Sequence, residues 1–180
     1  GSLGAALFVW HQLLGNARQP SRPDSQRGTL LGSSYGDEEI RGFLESTGAP
    51  FESFSDDQAF ADRVAAELAE GRVVGWFQGP MEFGPRALGS RSILGDPRVA
   101  DMQSRINRKV KFREGFRPFA PAVLEERAGE YFDLEPGRTS PYMLMVVPVA
   151  ERRLRALDPS QARAVGLDKL RVSRSEIPSV

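Results

Sequence analysis

The sequence contains no cysteine, and this absence excludes two kinds of stabilising site. Without thiols, the chain forms neither disulfide bonds nor thiolate metal sites. Histidine is almost as scarce, since His11 is the only one. A metal centre with several imidazole ligands therefore cannot form within this chain, and a zinc hydrolase is excluded.

Long apolar runs are absent as well. No stretch approaches the roughly eighteen uninterrupted apolar residues of a membrane span, and residues 1–14 lack the basic start and the cleavage site of a signal peptide. With 180 residues, 40% of them hydrophobic and 27% charged, the chain lies in the range of a soluble domain that buries one core. We therefore expect a cytoplasmic protein without a membrane partner.

Charge is balanced overall but unevenly distributed. Lys plus Arg and Asp plus Glu both number 24, yet residues 80–118 carry nine basic residues against four acidic ones. Such an excess among several glycines suits an anionic ligand, although solvated helix faces give similar counts.

Helix and strand signals alternate along the chain, which predicts an α/β fold. A capping box of Ser55 and Gln58 predicts the start of one helix, whose Phe60, Val64 and Leu68 should face a sheet. Other helices are predicted over residues 3–14, 37–47, 99–110 and 125–132. Strands are predicted over residues 72–78, 92–94, 122–124 and 142–149. The apolar runs at Val73–Phe77 and Met143–Val147 are typical of strands buried between helices.

Two loops carry the strongest functional signal: the glycine–proline loop, residues 79–89, and the arginine loop, residues 111–121. Glycines let backbone N–H groups approach phosphate oxygens, and prolines limit the entropy lost on binding. The guanidinium of arginine grips two anionic oxygens, whereas lysine supplies a point charge. We therefore expect Arg86, Lys111 and Arg117 to converge as an anion clamp. Phe112, Phe116 and Phe119 alternate with these charges and are expected to anchor the arginine loop.

Other polar residues have simpler interpretations. Arg91, Arg98 and Arg105 are expected to pair with nearby acids such as Asp96 and Asp101, in surface pairs that contribute little. His11 has no acidic or histidine companion and is interpreted as a packed or capping helix residue.

Three segments resemble the nodulation and antibiotic O-carbamoyltransferases. Residues 74–94 read VGWFQGPMEFGPRALGSRSIL, residues 106–121 read INRKVKFREGFRPFAP, and residues 140–144 read SPYML. Residues 3–12 also resemble the end of the first domain of that family. Within the motif, Pro80 stands where many members have an arginine, which would remove one positive charge.

The resemblance implies a fold and a division into domains. Residues 33–180 would form part of a YrdC-like domain, a mixed sheet flanked by helices that is incomplete at its C-terminus. Residues 1–32 would be the tail of a preceding actin/hexokinase-like transferase domain, with its linker. The chain would then be a fragment that is inactive alone, or else a decayed gene product.

The resemblance also implies a reaction. Carbamoyl phosphate and ATP would form carbamoyl adenylate and pyrophosphate, and the carbamoyl group would then pass to the hydroxyl of a small acceptor in the preceding domain. ATP, with Mg²⁺, would be a co-substrate, and a resident metal is expected only in that preceding domain.

The family's motifs suggest roles for four residues. Arg86 and Lys111 would be catalytic and, with Arg117 and Arg113, would bind substrate. Arg113 is included because residues 111–113 are similar to the Lys-x-Arg element of YrdC proteins. An alternative is a YrdC-like nucleotide- or RNA-binding module without turnover. Nucleic acid is not the expected partner, because Trp76 and Phe77 lie in a run predicted to be buried.

Overall fold

The chain, described by a computed structural model over residues 1–21 and 24–180, combines short helices with one small sheet. Its helices are α1 (Ser2–Phe8), α2 (Asp37–Thr47), α3 (Asp57–Ala69), α4 (Met102–Arg105), α5 (Ala128–Tyr131) and α6 (Pro159–Ala162), and its strands are β1 (Val74–Phe77) and β2 (Arg91–Leu94). Wider π turns extend α1 over Val9–Leu13 and α4 over Ile106–Val110. This combination confirms the α/β class. Within the described ranges, none of the helices has the length and apolar character needed to cross a membrane.

Helix ends follow local chemistry. Gly48 ends α2 with a φ of 65°, a left-handed conformation that glycine adopts without steric cost. The side chain of Asp56 caps α3 by accepting hydrogen bonds from the N–H groups of Gln58, at 3.2 Å, and Ala59, at 3.0 Å. The prediction that Ser55 caps this helix is therefore wrong by one residue. At the end of α1, Nδ1 of His11 lies 2.8 Å from the carbonyl oxygen of Asn16, which confirms a local role for the histidine.

The sheet is a single antiparallel pair in which Val74 lies opposite Leu94 and Phe77 lies opposite Arg91. Helix α3 covers one of its faces, where the ring of Phe60 stacks on that of Trp76 at 5.5 Å. Successive strand residues point to opposite faces, so Phe77 lies on the other side and is 54% exposed. The expectation that helices bury both faces of this strand is wrong, because in the described residues a helix covers only one face.

The predicted strand at Met143–Val147 is also wrong. These residues are irregular, and Leu144 and Val146 are 83% and 100% exposed. A strand needs a neighbour that accepts and donates its backbone hydrogen bonds, and the sheet of the described residues has only two members. Just beyond the run, one isolated antiparallel bridge joins Val149 to Phe132. Residues 122–124 likewise form no strand.

Met102 and Ile106, on successive turns of α4 and its π extension, form the centre of the small core. Phe132 and Ile177 are buried as well, and all four side chains line a cavity of about 610 Å³. Gly95, directly after β2, lies so close that a Cβ there would be 2.8 Å from Sδ of Met102 and 2.9 Å from Cδ1 of Ile106. Core packing thus requires a residue without a side chain at this position.

Gly95→Ala should lower the free energy of unfolding by about 1–3 kcal/mol, because the added methyl group forces buried side chains to move. Gly75→Ala is the matched control, since a Cβ at Gly75 in β1 meets no atom within 4 Å. Denaturant unfolding of both variants checks the prediction. Equal stability of Gly95→Ala and Gly75→Ala would contradict the proposed packing.

Candidate anion-binding site

Glu82 organises the glycine–proline loop from inside. Its carboxylate is buried, and Oε1 accepts hydrogen bonds from the N–H groups of Leu88, at 2.7 Å, and Ser90, at 2.6 Å. Burial would raise the pKa of Glu82, but the N–H groups of Ser90 and Leu88 outweigh it and lower the pKa below its ordinary value. Two N–H groups that a glycine-rich loop might offer to a phosphate are therefore occupied by the protein's own carboxylate.

Arg91 ties the two ends of the same loop together. Its guanidinium donates hydrogen bonds to the carbonyl oxygens of Gln78, at 2.8 Å, Gly79, at 3.0 Å, and Ser90, at 2.9 Å. The guanidinium carbon lies 3.5 Å from the ring centroid of Phe77, a cation–π contact that covers the exposed face of the ring. Arg91 therefore bonds to carbonyl groups, and its expected pairing with an acid is wrong.

The other two arginines expected to be structural do pair with acids. Arg98 lies 2.6 Å from Asp96, and Arg105 lies 2.9 Å from Asp101. Both pairs confirm the sequence interpretation. Neither arginine is left as a free cation for a ligand.

Residues 29–33 run beside the glycine–proline loop. The N–H of Gly32 donates to the carbonyl of Met81 at 2.8 Å, and the N–H of Met81 donates to Ser33 at 2.9 Å. The N–H of Phe83 donates to Thr29 at 2.6 Å. A Cβ at Gly32 would lie 2.8 Å from the carbonyl oxygen of Met81, so the close approach requires glycine. The loop thus packs against a chain segment far from it in sequence.

Asn107 organises the arginine loop in a similar way. The residue is completely buried, and its Nδ2 donates to the carbonyl oxygens of Arg117, at 2.8 Å, and Gly115, at 3.4 Å. Its Oδ1 accepts from Nε of Arg113 at 2.7 Å, and its backbone carbonyl accepts from the N–H of Arg113 at 3.0 Å. One amide side chain therefore holds the backbone of the loop and one of its guanidinium groups.

Arg113 and Arg117 lie around Asn107 with different partners. The guanidinium of Arg113 is half-buried and lies 5.0 Å from the ring centroid of Phe119. Arg117 is exposed, and its Nε lies 2.8 Å from the carboxylate of Glu114. This hydrogen bond raises the pKa of Arg117 and lowers that of Glu114. Part of the charge of Arg117 is therefore already compensated within the loop.

Lys111 and Arg86 are exposed, and within residues 1–21 and 24–180 neither forms a salt bridge. Lys111 follows the π turn, where its N–H donates to Ile106 at 2.9 Å. Lys111, Arg113 and Arg117 belong to the arginine loop, whereas Arg86 belongs to the loop that Glu82 anchors. The convergence of Arg86 with Lys111 and Arg117 stays a prediction.

The aromatic residues of the arginine loop do not behave alike. Phe119 is half-buried beneath Arg113, as expected of an anchor. Phe112 and Phe116 are 85% and 51% exposed, so the expectation that they anchor the loop is wrong. Asn107, not an aromatic side chain, supplies that anchor.

Sequence reasoning missed the two residues that shape the loops. A signal for Asn107 exists, because it follows Ile106 on a helix whose inward positions are otherwise apolar. A signal for Glu82 is its place as the only acid between residues 71 and 95.

In the part of the chain that the structure describes, no group of three or more His, Asp or Glu side chains could hold a metal ion.

Comparison with known proteins places the site within a recognised sequence family. A family model described as "Carbamoyltransferase C-terminus" matches residues 65–180, which include both loops. The chain is 50% identical to an uncharacterized protein of Synechocystis sp. over 182 residues, which cover 100% of this chain and 29% of that protein.

Two named relatives add functional descriptions. The chain is 46% identical to nodulation protein NolNO of Sinorhizobium fredii, over 84% of this chain and 22% of that protein. It is 45% identical to 3'-hydroxymethylcephem-O-carbamoyltransferase of Amycolatopsis lactamdurans, over 50% of this chain and 17% of that enzyme. The chain thus spans less than a third of the length of these three relatives.

Glu82→Gln should weaken the acid dependence of stability. A carboxylate whose pKa is lowered in the folded state stabilises the fold above its unfolded pKa, about 4.3, and this contribution is lost as the pH falls through the folded pKa. Gln keeps an acceptor at Oε1 but cannot ionise. The free energy of unfolding of the Glu82→Gln variant should therefore fall less steeply below about pH 4.3 than that of the wild type. Identical pH profiles of wild type and Glu82→Gln, measured by denaturant unfolding, would contradict this role.

Asn107→Leu should lower the free energy of unfolding by about 1–3 kcal/mol, because it removes the acceptor of the Arg113 guanidinium and the hydrogen bonds that Asn107 donates to the carbonyl groups of Gly115 and Arg117. Asn107→Asp keeps an acceptor for Arg113 but loses both donated bonds. Comparing the two variants by denaturant unfolding therefore separates the contribution of Arg113 from that of the loop backbone. A stability of Asn107→Leu equal to that of the wild type would show that the loop does not depend on Asn107.

Proposed function

The chain belongs to the carbamoyltransferase C-terminal family, and we propose that it activates the carbamoyl group in an O-carbamoyltransferase. The substrates are carbamoyl phosphate and ATP. In balanced form, carbamoyl phosphate, ATP and one water give carbamoyl adenylate, pyrophosphate and inorganic phosphate. The carbamoyl group then passes from the adenylate to the hydroxyl of a small acceptor, and AMP is released.

One observation carries this proposal: each of two loops with a fixed backbone carries a cation that has no acidic partner among the described residues. Glu82 and Asn107 take up the backbone groups of the loops, while Arg86 and Lys111 remain exposed without a salt bridge in the described residues. Preorganised positive groups stabilise the charge that builds on a transferring acyl phosphate and on the departing pyrophosphate. A site of this kind needs no carboxylate pair or nucleophile.

The four cations take different parts in this proposal. Arg86 and Lys111 have no acidic partner in the described residues, so we assign them the catalytic role of stabilising the developing charge. Arg113 and Arg117 bind substrate oxygens, and their fork geometry suits phosphate or carboxylate. Asn107 holds Nε of Arg113, so the terminal nitrogens of Arg113 would donate to the ligand. Arg117 would have to exchange its bond to Glu114 for one to the ligand.

The wider architecture is part of the same proposal. We retain a YrdC-like assignment for residues 33–180, and for residues 1–32 the tail and linker of a preceding actin/hexokinase-like domain that binds the acceptor. The described chain offers no cluster of carboxylates for a metal, so Mg²⁺ would enter bound to the phosphates of ATP. The similarity to a cephem O-carbamoyltransferase supports an acceptor with a hydroxyl group.

A second candidate is a nucleotide- or RNA-binding module without turnover. RNA stacks on exposed rings, and Phe112 is such a ring, 85% exposed and next to Lys111 in the sequence, whereas Arg91 covers the exposed face of Phe77. Exposed aromatic rings beside basic residues are what single-stranded nucleic acid requires. Turnover distinguishes the two candidates, because only the enzyme releases pyrophosphate.

Lys111→Ala should reduce carbamoyl-phosphate-dependent pyrophosphate release from ATP roughly a hundredfold or more, since losing one contact to developing charge costs about 2.7–4 kcal/mol. Transfer from supplied carbamoyl adenylate should change far less, because the acceptor reacts in another domain. Both assays use the protein that carries this chain.

Lys109→Ala is the matched control, because Lys109 is an exposed lysine two residues away on the preceding π turn. This variant should keep near wild-type pyrophosphate release. If Lys111→Ala also releases pyrophosphate at the wild-type rate, the arginine loop is not the activating site.

A further inference from the structure

Phe112 combines two unfavourable features. Its φ is 48°, in the left-handed region that residues with a side chain rarely adopt, and its side chain is 85% exposed. The backbone is fixed on both sides, because the N–H of Lys111 donates to Ile106 at 2.9 Å and that of Arg113 donates to Asn107 at 3.0 Å. Phe112 is therefore held in this conformation by its neighbours.

Neither local geometry nor packing accounts for a phenylalanine here. Helices commonly end with a left-handed residue, and glycine suits that position because it lacks a Cβ. A bulky residue in the same conformation is a genuine outlier, and such outliers concentrate at binding sites. The exposed ring gains little from burial in the described chain. A contact with something outside the chain would give the ring a role.

The neighbours of Phe112 indicate what that contact is. Lys111 precedes it and Arg113 follows it in the sequence, so the ring belongs to a segment that carries two positive charges suited to phosphate groups. A nucleotide suits both the ring and the cations. Its base stacks on an aromatic side chain, and its phosphates bind the positive charges. Phe119 is half-buried beneath Arg113, which leaves Phe112 as the most exposed ring of the loop.

We propose that Phe112 is the platform on which the adenine ring of ATP stacks when ATP binds at the arginine loop. This inference rests on the proposed function, since it takes ATP as the nucleotide. It adds a residue for the base to the cations proposed for the phosphates. Phe112 then contributes to ATP affinity without taking part in carbamoyl chemistry.

The test compares the binding of ATP and of tripolyphosphate, which lacks the base, by calorimetry in the protein that carries this chain. Phe112→Gly should weaken ATP binding about tenfold or more and leave tripolyphosphate binding unchanged. The same variant should have a raised Tm, because glycine relieves the left-handed conformation. Phe112→Trp should retain ATP affinity, whereas Phe112→Leu, which keeps apolar bulk without a ring, should lose it.

Met143→Gly is the matched control, because Met143 is another residue with a side chain in this conformation, with a φ of 53°. It should leave the affinity for ATP unchanged. Unaltered ATP binding by Phe112→Gly overturns the inference, as does an equal loss of ATP and tripolyphosphate binding. A wild-type protein that binds neither ligand overturns the proposed function itself. Preferential loss of oligonucleotide binding in Phe112→Gly would assign the ring to RNA, against the inference.

Discussion

Loops without regular secondary structure must still provide hydrogen-bond partners for their buried backbone groups, and this constraint determines the candidate site. Glu82 supplies the acceptor for two N–H groups of the glycine–proline loop, and Asn107 supplies donors for two carbonyl groups of the arginine loop. Both side chains bond to backbone groups that lie outside the helices and strands. The two loops can therefore remain open to solvent while their backbones stay fixed.

The same constraint distributes charge across the site. The carboxylate of Glu82 occupies two N–H groups that could have met a phosphate, and the proposed ligand binding therefore relies on side-chain cations. These cations are not equivalent: Arg113 is held by Asn107 and Arg117 by Glu114, whereas Lys111 and Arg86 form no salt bridge in the described residues. A site built from fixed backbones and a few unpaired cations suits anions whose charge changes during a reaction.

The sequence predicts those parts of the structure that depend on local chemistry. The glycine at position 48 correctly predicts the end of α2, and the apolar spacing of α3 correctly predicts that helix. The short strand β2 is also predicted correctly, and its partner β1 lies close to it in the sequence. Residues 142–149 are not a strand, since an apolar run does not show whether a neighbouring strand exists. The positive loops could be recognised from glycine, proline and arginine. Glu82 and Asn107 stand out in the sequence, but their hydrogen-bond partners could not be predicted, because these contacts depend on the folded backbone.

Adenylation is the central claim, and the exchange of labelled pyrophosphate into ATP tests it most directly. In the protein that carries this chain, exchange should require carbamoyl phosphate, because only a reversible step that forms carbamoyl adenylate returns pyrophosphate to ATP. Exchange without carbamoyl phosphate, or ATP cleavage that releases ADP and phosphate without exchange, would contradict the account.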